Sequence, residues 1–188
     1  MSHTPTLPST SQPIAVAAPE PLHDGLHDFD FLHGLWHVHN QRLRTPLSGS
    51  TEWYEFSGHS VERSVLGGQG NVEEYDATLP DGSEIHAVAL RLYQPATNRW
   101  TIHWSNAATG TLDLPMSGFF RDGRGEFLGY EEFRGRMILV RFLWTALGPS
   151  AARWEQAFSA DAGRSWETNW IMDFTRLGDV RGLHSVSR

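Results

Sequence analysis

The sequence predicts an all-β fold, an antiparallel up-and-down barrel of about ten strands preceded by a short N-terminal helix or turn. Three observations predict it. The eight tryptophans of the 188-residue chain sit in short alternating segments: Trp100 with Trp104, Trp166 with Trp170, and Trp36, Trp53, Trp144 and Trp154 each in a segment of its own. Spacings of two and four keep side chains on one face of a strand, so indoles facing one way across many strands imply a sheet curled around an aromatic interior. Turn residues separate these segments at short intervals. No stretch of eleven or more residues carries a 3.6-residue period. A β-sandwich is the competing architecture.

Taken in order, residues 26–34 (LHDFDFLHG) bring Leu26, Phe29 and Phe31–Leu32 to near-helical spacing, which suits a short helix or turn capping one end of a sheet. Strands are expected at 35–43, 51–57, 60–66, 70–78, 84–93, 99–105, 115–120, 125–132, 136–144, 152–159 and 166–176. Leu79-Pro80-Asp81-Gly82, Gln94-Pro95-Ala96-Thr97-Asn98, Arg121-Asp122-Gly123-Arg124-Gly125 and Phe133-Arg134-Gly135 are the best-marked turns.

Alternation assigns faces. Trp166, Thr168, Trp170, Met172 and Phe174 are expected on one face, against Glu167, Asn169 and Asp173. Ile138, Val140, Phe142 and Trp144 oppose Arg136 and Arg141. Trp100, Ile102 and Trp104 oppose Thr101, His103 and Ser105; Trp154, Gln156 and Phe158 oppose Arg153 and Glu155. Phe127, Gly129, Glu131 and Phe133 form a face containing a carboxylate. On this parity Gln156 and Glu131 point into an apolar interior, where an unpartnered polar group costs a few kcal/mol. A slip of one residue in any strand reverses its assignment.

Composition excludes several function classes. The formal charge is −7, from 22 acids against 15 bases, and every base is Arg. An acidic chain without basic runs does not suit nucleic acid or anionic membrane surfaces. Cysteine is absent, which removes disulfides, thiol nucleophiles and thiolate metal sites. No apolar run approaches the ~20 residues that span a bilayer. The Pro-, Ser-, Thr- and Ala-rich start lacks a basic n-region and a long apolar middle, so no signal peptide is read and a cytoplasmic location is expected. The expected organisation is a flexible tail over 1–24, one barrel domain over 25–178 and a C-terminal tail over 179–188.

Gly34-Leu35-Trp36 opens the first strand, after a short helix and before about ten strands. In that setting it resembles the calycin superfamily of lipocalins, fatty-acid-binding proteins and their relatives. Asp28-Phe29-Asp30-Phe31-Leu32-His33-Gly34-Leu35-Trp36 is similar, more narrowly, to a bacterial family of lipocalin-like domains of unknown function that open with F-D-F-L-x-G-x-W. Gly67-Gly68-Gln69-Gly70-Asn71-Val72-Glu73-Glu74, Arg91–Trp100 and Trp154-Glu155-Gln156-Ala157-Phe158-Ser159 extend the likeness over roughly residues 26–177. The resemblance implies a barrel with an internal cavity and carries no defined activity.

Other motifs read as structure. Ser159-Ala160-Asp161-Ala162-Gly163-Arg164-Ser165-Trp166 resembles an Asp-box, whose Asp bonds backbone amides across a hairpin; one copy is a turn device. His37 and His39 share a face and would need a third ligand, such as His86, His103 or Glu74, to hold a metal. Trp36 and Val38 occupy the more apolar side, so both histidines are expected at solvent and no metal site is expected. Haem-binding calycins, the nitrobindins, carry an axial His near the C-terminus, where His184 lies, but follow their Gly-x-Trp with glycines; here His37-Val38-His39-Asn40 follows, and no cofactor is expected. Gly67-Gly68-Gln69-Gly70 lacks the helix that a phosphate loop needs and reads as a hairpin at a barrel mouth.

The function this supports is binding of a small, mainly apolar or aromatic molecule inside the barrel. The expected ligand-binding residues are Trp53, Asn71, His86, Trp104, Phe142, Trp154, Gln156 and Trp170. Glu74 and Glu131 are candidate acid and base, should the same pocket act as a cofactor-free cyclase, isomerase or hydratase. Haem or metal binding is the remaining alternative, and a homodimer is compatible with the sequence.

Overall fold

The computed structural model describes residues 24–180. The expected tails fall almost wholly outside the described residues, as does His184. Ten antiparallel strands form one closed barrel: β1 (Gly34–Leu43), β2 (Trp53–Val65), β3 (Gly70–Thr78), β4 (Glu84–Gln94), β5 (Arg99–Asn106), β6 (Met116–Arg121), β7 (Arg124–Phe133), β8 (Arg136–Gly148), β9 (Ala151–Ser159) and β10 (Glu167–Gly178). Each pairs with its neighbours in sequence, and β1 pairs with β10, which leaves no open edge.

The expected strands 51–57 and 60–66 are one strand, β2. Gly58 lies between them without breaking the ladder, facing Val38 on β1 and Ala77 on β3. A Cβ there would come within 2.8 Å of the Tyr75 hydroxyl, so this glycine makes room for a ring crossing the interior. The thinnest seam is β5–β6, held by only three residue pairs, Trp100–Gly118, Thr101–Ser117 and Ile102–Met116.

Two 3₁₀ turns, Gly25–His27 and Asp30–Leu32, plug one end. Phe29 is fully buried there, edge-on to Trp100 at 5.1 Å and to Phe120 at 4.9 Å. Such pairs add about 0.5–1.5 kcal/mol each beyond the area they bury. The plug is tied to the wall through its carbonyls: Trp36 Nε1 donates to Leu32 O at 2.6 Å and Trp100 Nε1 to Gly25 O at 2.8 Å. The short N-terminal turn, the strand order and the apolar faces of β5, β7, β8 and β9 are as the alternation predicts.

β10 departs from simple alternation. The register with β9 shifts between Thr168 and Trp170, a bulge that turns Asn169 inward beside Trp170. Trp166 therefore lies outside, under the Arg141 guanidinium at 4.6 Å, instead of sharing the face of Trp170.

The Asp-box segment forms the β9–β10 turn. Asp161 accepts from the Ser165 amide at 2.9 Å and the Ser165 hydroxyl at 2.6 Å. These bonds, the hydroxyl's first, hold its carboxyl down at about 2. Leu66, Gly67 and Gly68 all adopt positive φ in the β2–β3 turn, which explains the glycine run there.

Candidate functional site

Aromatic side chains fill the plugged half of the barrel. The other half is a hollow of about 840 Å³ that opens at the far end. Its walls include Ile102, Trp104, Val140, Phe142, Trp154, Trp170 and Met172, each brought inward by the pleat of its strand. Phe142 and Trp154 meet edge-on at 4.9 Å, and Trp154 meets Trp170 at 5.4 Å. Six of the eight tryptophans thus face the interior: Trp36, Trp100, Trp104, Trp144, Trp154 and Trp170.

The floor is polar. Arg91 on β4 is 2% exposed and lies between two buried carboxylates on adjacent strands. Its Nη1 donates to both Glu62 oxygens, at 3.0 and 2.9 Å, and to Asn71 Oδ1 at 3.1 Å; Nη2 donates to Glu73 at 2.5 Å. Ser60 donates to the other Glu73 oxygen at 2.9 Å. The guanidinium packs against the rings of Trp144 and Phe29, at 5.1 and 5.4 Å. Burial pushes the Glu62 carboxyl well above its ordinary value, and Arg91 only partly opposes this. Arg91 stays charged: its two carboxylates outweigh the desolvation that works against it.

A second buried relay joins distant strands. Asn40 Oδ1 accepts from Tyr75 Oη at 3.0 Å and from Trp170 Nε1 at 2.9 Å. Nearer the mouth, Gln156 donates to Asn169 Oδ1 at 2.8 Å. Arg42 lies over the Trp170 ring at 4.4 Å. Glu131, Glu132 and Asp113 also line the mouth. Burial pushes Glu131 above its ordinary value, Asp113 adds to the rise, and Arg42 works against it.

Five of the expected ligand-binding residues line the hollow: Trp104, Phe142, Trp154, Gln156 and Trp170. Glu131 joins them at its mouth. Asn71 faces inward but does not line the hollow; its carbonyl oxygen holds Arg91. Three expected residues lie outside. Trp53 has the parity of the outward positions of β2 and is 41% exposed. His86 bonds Asp76 at 2.6 Å and Glu84 at 3.1 Å on the outer surface. Glu74 is exposed and pairs with Arg63 at 3.0 Å. Glu74 and Glu131 therefore face opposite sides of the wall and cannot act as an acid–base pair. The inward carboxylate of β3 is its neighbour Glu73, on the parity of Asn71 and Tyr75.

His37 and His39 lie on the outer face, His37 edge-on to His59 at 5.8 Å and His39 3.8 Å from Glu55. Among the described residues no group of three or more His, Asp or Glu side chains is placed to hold a metal. No helix among them is long and apolar enough to cross a membrane.

The S-type phycobiliprotein lyase CPES from Guillardia theta is similar in structure, with a TM-score of 0.56 at 10% identity over 86% of this chain and all of that one. The likeness is one of fold, a closed antiparallel β-barrel in this chain. Lower similarity, at 10% identity over 81% of this chain, relates it to a redesigned β-barrel (TM-score 0.44, 95% of that chain) and to EF1p2_mFAP2b bound to DFHBI (TM-score 0.46, 98% of that chain). No protein-family model and no curated protein sequence matches the chain.

Proposed function

We propose that this calycin-like barrel binds a small, mainly apolar or aromatic molecule in its open hollow. The observation that carries the reading is the hollow itself: about 840 Å³, walled by indole and phenyl rings, with polar groups at its floor and mouth. That size and that mixture suit a compact ring system held by its area and oriented by a few hydrogen bonds. The F-D-F-L-x-G-x-W opening supplies the plug that keeps one end shut, which supports placing the chain in the bacterial lipocalin-like family with that opening.

Titration with ethylnaphthalene, followed by tryptophan fluorescence, tests this. Saturable quenching is expected. Ala89→Phe grows a ring from the wall of the hollow and is expected to weaken binding at least tenfold while circular dichroism still reports a folded barrel. Equal affinity of Ala89→Phe and the parent would place the probe elsewhere and overturn the reading.

A further inference from the structure

Among the described residues, three buried donors on side chains that line the hollow have no protein partner, Arg91 Nε, Trp144 Nε1 and Asn169 Nδ2, and Asn71 Nδ2, behind Arg91, is likewise unpaired. The three lining residues are 2%, 3% and 2% exposed. Native interiors pair almost all such groups, and a lost hydrogen bond inside low-dielectric surroundings is expensive. Two of the three lie together at the floor, on β4 and β8, with the Arg91 guanidinium 5.1 Å from the Trp144 ring centre. Asn169 lies toward the mouth, on the inward turn of the β10 bulge.

The charge of the floor restricts what meets these donors. The guanidinium bonds Glu62, Glu73 and Asn71 through Nη1 and Nη2. One carboxylate balances Arg91 and the second carries the floor to neutral or below. An anionic group gains no net attraction there. A neutral oxygen acceptor satisfies the Nε–H and indole N–H without adding charge.

We infer that the hollow selects a neutral aromatic carbonyl compound, with its carbonyl oxygen at the floor on Arg91 Nε and Trp144 Nε1 and a second acceptor at the level of Asn169. The inference rests on the binding reading above and narrows its ligand class. A hydrocarbon of the same shape leaves the donors unpaired, and a carboxylate of the same shape faces Glu73.

Isothermal titration of the full chain with acetylnaphthalene, ethylnaphthalene and naphthoate tests it. The ketone is expected to bind about tenfold more tightly than the hydrocarbon, the scale of one hydrogen bond to a charged donor, with naphthoate weakest. Trp144→Phe removes the indole N–H and keeps an aromatic ring; it is expected to weaken the ketone several-fold more than it weakens the hydrocarbon. The ligand comparison on the parent protein stands even if that variant does not fold. Equal affinities for ketone and hydrocarbon, or tightest binding of naphthoate, overturn this inference and leave the binding reading standing. Failure of all three to bind overturns both.

Discussion

Arg176 lies flat on Trp36, its guanidinium carbon 4.3 Å from the ring centre, and from there reaches the plug. Nη1 donates to His33 O at 2.6 Å, Nη2 to Phe31 O at 2.7 Å and Nε to Pro149 O at 2.9 Å. One side chain on β10 thus joins the plug, the β8–β9 turn and the opening of β1. Arg176→Met keeps much of the alkyl packing and removes all three bonds. It is expected to cost about 2–4 kcal/mol in denaturant unfolding, since bonds from a charged donor are worth about 1.5–3 kcal/mol each and this site is partly solvated. Amide exchange at residues 25–33 should accelerate before the rest of the barrel opens.

The buried Arg91 cluster predicts an asymmetry between single and combined changes. Arg91→Met alone leaves Glu62 and Glu73 buried without their cation and is expected to destabilise by about 3–5 kcal/mol. The triple change Glu62→Leu, Glu73→Leu, Arg91→Met removes every charge together and is expected to recover most of that loss. Thermal melts of the two proteins decide the matter. A triple variant as unstable as the single would mean that the cluster contributes more than compensated charge.

Glu62 gives the pH dependence a sign. Its folded-state pKa is raised above 4.5, so between that value and the raised one the folded chain holds a proton that the unfolded chain releases. Stability is then fullest below the ordinary carboxyl pKa and falls as pH climbs through that window, by at most about 1.4 kcal/mol per pH unit for one proton. Glu62→Gln mimics the protonated form and should flatten this part of the curve. Urea unfolding at several pH values measures both slopes; parallel slopes would contradict the assignment.

Residue parity made most of this barrel legible in the sequence. Trp154-Gln156-Phe158 and Ile138-Val140-Phe142-Trp144 face inward because a strand alternates without exception until a bulge intervenes. The Asn169 bulge interrupts that rule, and it put Trp166 on the wrong face: nothing in Glu167-Thr168-Asn169-Trp170 marks where the ladder slips. The Arg91 cluster was legible in part. Ala87, Ala89, Arg91 and Tyr93 share a face, as do Asn71, Glu73 and Tyr75, so period two alone favours Glu73 over Glu74. That Arg91 meets Glu62 and Glu73 is a property of register across three strands, which no single segment contains. Residue type favours Trp53 and His86 as ligand contacts, but the alternation of β2 and β4 turns both outward.

The two glycines that face the thin side of the barrel should differ sharply. A Cβ on Gly118 would lie 1.9 Å from the Glu126 carbonyl oxygen and 2.7 Å from Phe127 Cα, so backbone must move. A Cβ on Gly129 would lie 2.5 Å from Met116 Sδ, the flexible end of a side chain that can turn away. Gly118→Ala is therefore expected to cost about 3 kcal/mol and Gly129→Ala about 1 kcal/mol or less. Because β6 is held to β5 by three residue pairs, strain at Gly118 should appear first as faster amide exchange along that seam. Equal stability of the two variants, or loss of protection spread evenly around the barrel, would show that the β5–β6 junction is not where this structure yields.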